Sequence, residues 1–104
     1  MNEQPWYGVR SLFYDKEQNT YEERTILVRA ESDNDAIKTA EADAKAYAKD
    51  IGISYTGYSD SFHLFDKEIN NLSEVFSIMR TTNLSQKEYI NQYLDSGTER
   101  RKSD

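Results

Sequence analysis

Residues Ser32 to Gly52 constrain this chain more than any other stretch. Ser32-Asp33-Asn34-Asp35 places a capping hydroxyl ahead of acidic and amide side chains, with Asp35 three residues on as an approximate capping box. Acids in the first turn also suit the positive end of a helix dipole. Ile37, Ala40, Ala44, Tyr47 and Ile51 follow at spacings of three and four, which predicts one apolar stripe, and Gly52 supplies the stop. A helix whose stripe is mostly Ala approaches its neighbour closely, and the neighbour such a helix suits is a sheet.

The flanking segments provide one. Trp6 to Tyr14 is aromatic and β-branched and follows Pro5, a natural strand boundary. Asp15 to Asn19 is a polar turn, and Thr20 to Ala30 is a second strand, so the two form a hairpin. With Tyr14 opposite Tyr21, one face carries Tyr7, Val9, Phe13, Ile26, Val28 and Ala30. The other carries Trp6, Leu12, Tyr14, Tyr21 and Leu27, mixed with Arg10, Glu23, Thr25 and Arg29. The first face is the core candidate.

Beyond Gly52, Ile53 to Phe65 reads as a long strand, with Gly57 and Ser59-Asp60-Ser61 marking a bulge or bend. Glu74 to Arg80 reads as a fourth strand, apolar on both parities and so covered on both sides. Ser85 and Glu88 form a capping box for a short helix with Tyr89, Ile90, Tyr93 and Leu94 on one stripe. The expected fold is therefore α+β, a four-stranded mainly antiparallel sheet in the order ββαββα with the long Ala-rich helix on one face. Residues 1–97 form one domain, and residues 98–104 are a disordered basic tail.

Length and charge narrow the function. A chain of 104 residues holds one core. The net charge of −6 argues against nucleic acid, whose phosphates demand clustered Lys and Arg. Arg100-Arg101-Lys102, the one dense basic run, reads as a solvated tail. The absence of cysteine excludes disulfides and thiolate chemistry. No apolar run approaches the ~20 residues of a membrane span. Met1 to Pro5 lacks the pattern of a signal peptide, so a cytoplasmic location is expected.

No catalytic constellation stands out. The single histidine, His63, has no second ligand at metal spacing, and Asp60 and Asp66 approach it only if the chain bends. Glu22 and Glu23 are adjacent in a strand and point to opposite faces. Asp33 and Asp35 are explained by capping. Four glycines at scattered positions build no phosphate cradle. No metal, cofactor or catalytic residue is expected, and the chain reads as a non-enzyme.

Several strings resemble the bacterial family called domain of unknown function 4288. They are Trp6-Tyr7-Gly8-Val9-Arg10, Tyr21-Glu22-Glu23-Arg24 leading into Ile26 to Ala30, the Ser/Asp start of the Ala-rich helix, and Glu74-Val75-Phe76-Ser77. The resemblance spans roughly residues 6 to 80. It implies a small cytosolic bacterial protein and brings no activity or site residues with it.

The half-apolar second sheet face is the oddity. Aromatics with arginine are the residue types of protein interfaces. Three covers suit it: the short helix through Tyr89, Ile90, Tyr93 and Leu94, another protein chain, or a ligand. The candidate binding residues are Trp6, Arg10, Tyr14, Tyr21, Arg29, Tyr58 and His63. The leading reading is a protein–protein interaction module or homodimer. The alternatives are a small-ligand sensor with Tyr55, Tyr58, His63 and Arg80 about a pocket, an immunity-type inhibitor of a basic partner and, last, an enzyme built on His63.

Overall fold

A computed structural model describes residues 4–101. Its elements are β1 (Trp6–Asp15), β2 (Thr20–Arg29), α1 (Asp33–Ile51), β3 (Ser54–His63) and α2 (Gln86–Tyr89), the last continuing as a π-helical turn, Ile90–Leu94. The sheet is three-stranded and antiparallel with β1 in the centre, in the order β2-β1-β3. The hairpin register pairs Tyr14 with Tyr21 and runs unbroken to Trp6 opposite Arg29.

α1 lies on the face of Tyr7, Val9, Ser11 and Phe13. Ser32 accepts the Asp35 amide at its start, and Gly52 takes a left-handed φ of 76° at its end and donates to the Ala48 carbonyl. The face it buries is Ala36, Ala40, Ala44 and Ala48, at a strict spacing of four. That corrects the expected stripe: Ile37 is only partly buried, and Ile51 is 51% exposed. A column of methyl groups lets the helix backbone descend onto the sheet, which rotates the larger residues to the flanks. Val9 and Phe13 are the largest fully buried side chains, each worth roughly 1.5–3 kcal/mol of burial. The core is therefore thin.

Polar contacts finish it. The Ser11 and Ser59 hydroxyls meet at 2.7 Å, and Ser59 meets the Tyr55 hydroxyl at 2.6 Å, so the buried Ser11 is satisfied. Arg24 donates to Asp43 at 2.9 Å and lies 4.0 Å from the Tyr47 ring, whose hydroxyl donates to Glu22 at 2.8 Å. These contacts tie β2 to α1.

The expected fourth strand is absent among the described residues. Glu74 to Arg80 belongs to no sheet, and the order is ββαβα. An extended apolar segment becomes a strand only against a regular edge. The neighbouring edge is interrupted: between the pairs Ser11–Ser59 and Phe13–Tyr55 the β3 strand holds extra residues around Gly57, at φ 91°. Thr56 fills the gap by donating to the Leu12 carbonyl at 2.9 Å.

Beyond β3 the chain forms an arm. Leu64 is buried and its amide donates to the Trp6 carbonyl at 2.9 Å, but Leu72 and Met79 are more than nine-tenths exposed. The short helix is capped as expected, with Ser85 and Glu88 each bonding the other's amide. However, it packs against neither the sheet nor α1. The radius of gyration, 15.8 Å, exceeds the roughly 13 Å of a compact chain this long. Lys102 of the expected tail and Met1 to Glu3 of the start lie outside the described residues.

Candidate functional site: the open face of the sheet

The face opposite α1 is lined by alternate residues of all three strands. β1 contributes Trp6, Gly8, Arg10, Leu12 and Tyr14. β2 contributes Tyr21, Glu23, Thr25, Leu27 and Arg29, and β3 contributes Tyr58, Asp60 and Phe62. Of the three covers the sequence allows, the short helix contacts no strand of the sheet and so does not cover this face. From the arm Phe76 reaches this face, its ring 4.5 Å from that of Phe62 and 6.0 Å from the Arg10 guanidinium.

Arg10 is the hub. It grips Asp60 with two hydrogen bonds, at 2.9 and 3.3 Å, and lies 3.5 Å from Glu23. The Tyr58 hydroxyl donates to the same Asp60 carboxylate at 3.3 Å. The hydrogen bond that Arg10 donates to Asp60 holds the guanidinium above its ordinary pKa. These groups are partly in water, so the pairing contributes at most about 1 kcal/mol and chiefly fixes the guanidinium in place. Arg10, Leu12, Glu23 and Tyr58 surround a shallow hollow of about 270 Å³.

The rim is aromatic. Tyr14 and Tyr21 stack at 4.8 Å, and Tyr14 donates to Asn19 at 3.0 Å. Arg29 sits 4.6 Å from the Trp6 ring. The Trp6 indole N–H is shut off from solvent with no acceptor among the described residues, a state that costs about 1–3 kcal/mol. Tyr21 is 63% and Leu27 43% exposed.

Six of the seven candidate residues, Trp6, Arg10, Tyr14, Tyr21, Arg29 and Tyr58, therefore share one surface. His63 does not. It pairs with Tyr7 on the α1 side, with its ring 5.2 Å from Tyr7 and 5.9 Å from Phe65. Among the described residues no hydrogen bond joins it to a carboxylate or hydroxyl, and no three His, Asp or Glu side chains form a metal-ligating group. The pocket expected about Tyr55, Tyr58, His63 and Arg80 does not assemble. Tyr55 faces α1, Tyr58 faces the open side, and Arg80 is in the arm on Tyr89 and Tyr93.

Sequence reasoning missed Asp60, Phe62 and Phe76. Asp60 read as a neighbour of His63, and Phe76 as part of a strand. The parity that Phe62 shares with Tyr58 was the signal available.

Compared with known proteins, the chain matches no family model, no curated protein and no solved structure. The resemblance to the family of unknown function thus stands on its short strings alone.

Proposed function

We propose that the protein is a non-enzymatic protein–protein interaction module, with the open sheet face as its contact surface and a homodimer as its simplest assembly. The observation that carries this is the face itself: Tyr21, Leu27 and Arg29 are exposed, with Trp6, Arg10, Leu12 and Tyr14 half-buried beside them and no contact from the short helix. Aromatics and Arg on a rigid sheet present large contact area at small entropic cost. The bacterial cytosolic setting and kinship to the family of unknown function belong to this same proposal.

The test is site-specific cross-linking in the native cell, with a photo-reactive residue at Leu12 or at Tyr58. One recurrent adduct, with a second copy or a single other protein, is expected from both positions. The control is Lys45, exposed on α1. Adducts equally abundant from Lys45, or none from the sheet face, would overturn the reading.

A further inference from the structure

We propose that two copies of this chain join along the outer edges of β2, antiparallel and centred on Ile26, into a continuous six-stranded sheet. This rests on the reading that the protein is an interaction module whose simplest assembly is a homodimer, and it places the second copy at the sheet edge, beside the open face rather than on it.

The outer edge of β2 is unusually open to pairing. Ten consecutive residues stay in register with β1 without a bulge or a proline, whereas β3, the other edge, is broken at Gly57. Edge strands of this kind are templates for another strand unless they are blunted. Among the described elements only β1 and α1 contact β2, and α1 leans towards β3. Ile26 is consequently only partly buried although it lies on the core face.

The charge of β2 suits a second copy of the same strand. The protein as a whole carries −6, yet Thr20–Arg29 holds two acids and two bases, Glu22, Glu23, Arg24 and Arg29, and is neutral. Two copies therefore meet there without net like-charge repulsion between the paired strands. Glu22 and Arg24 are engaged by Tyr47 and Asp43 of α1. Glu23 and Arg29 project from the open face, and Arg29 has no carboxylate partner among the described residues.

Register then follows from the sequence. Centring on Ile26 sets Ile26 against its own copy on the core face. Thr25 faces Leu27 of the second copy, Arg24 faces Val28, and Glu23 faces Arg29, the last pair occurring twice by symmetry. Sliding two residues one way sets Glu23 against Leu27, and sliding the other way sets it against Glu31. Opposed like charges destabilise a strand pair, and opposed unlike charges support it. A closed two-fold contact of this type stops at a dimer, with both open faces on one side.

The test uses the full chain. The protein has no cysteine, so single cysteines introduced at positions 24 to 28 report the register directly. Directly opposed strand residues lie about 4.5–5.5 Å apart between Cα atoms, within disulfide reach. Ile26→Cys is expected to form the oxidised dimer fastest. In sedimentation, Glu23→Arg and Arg29→Glu are each expected to weaken the dimer by about tenfold or more, and the double reversal to restore it. A dimer that cross-links fastest elsewhere, or that the double reversal fails to rescue, overturns this register. A monomer at every concentration overturns the dimer itself. Neither result touches the Leu12 and Tyr58 adducts, so the broader reading fails or survives on its own experiment. A basic protein recovered there would assign the open face to that partner and leave the edge dimer to the cysteine test.

Discussion

Gly8 shows how one missing side chain shapes the open face. A Cβ at this position would overlap the Phe62 ring, with the Cζ atom at 2.6 Å. Phe62 therefore lies flat on the bare backbone of β1, where it meets Phe76. Gly8→Ala is expected to cost about 1–3 kcal/mol in chemical denaturation because the ring must swing off its site. The same change made with Phe62→Ala is expected to cost markedly less, and equal costs in both backgrounds would show that the ring is not the obstacle. Glu88 offers a second test. The hydrogen bonds of its capping box with Ser85 lower its carboxyl pKa below the ordinary Glu value. The folded pKa is depressed, so the capping contribution is present above the ordinary value and lost as pH falls through the lowered one. Followed by NMR, the Ser85 amide is expected to titrate with a midpoint below that of an unstructured Glu. A midpoint at or above it would mean that the cap does not form in solution.

Among the elements, α1 is held by shape more than by bulk. Its buried column is Ala36, Ala40, Ala44 and Ala48, and a larger side chain there has no space. Ala40→Leu is expected to destabilise by about 1–3 kcal/mol, through overpacking that lifts the helix from β1. Ala46→Leu, on the exposed side, is expected to stay within about 0.5 kcal/mol. Denaturation midpoints of the two variants decide between a packed Ala column and an interchangeable apolar stripe. The sequence reading located this helix, its cap, its stop and the buried Ala40 and Ala44, but put Ile37, Tyr47 and Ile51 on the buried face where the structure has Ala36 and Ala48. Periodicity ranks positions by hydrophobicity, and the larger residues dominated it. The sheet instead selected the column that allowed closest approach.

The whole molecule divides into a packed sheet-and-helix body and an arm. Phe65, Leu72, Val75, Ile78 and Met79 are exposed, and few backbone contacts hold the stretch after Leu64. Such a segment opens to proteases at little free-energy cost. Trypsin is expected to cut the full chain after Lys67 and Arg80 well before it cuts after Arg10 or Lys45, as mass spectrometry of a time course would show. Protection at Arg80 in the isolated protein would mean that the arm packs in solution. This is also where the expected fold was wrong. Glu74 to Arg80 has a strand's composition, but a strand exists only where a second backbone supplies its partners, and the bulged edge of β3 does not.

Taken alone, the residues determined what is local: the hairpin with Tyr14 opposite Tyr21, the split between its core and open faces, the capped α1, and the box at Ser85 and Glu88. Each follows from alternation, capping or turn chemistry within a few residues of itself. Only the tertiary structure decided what sits against what. It set Asp60 on Arg10, Phe62 on Gly8, His63 on the side away from the candidate site, and the short helix clear of the sheet. Those outcomes depend on strand order and on the space left after packing, and neither is encoded in the spacing of residues along one segment.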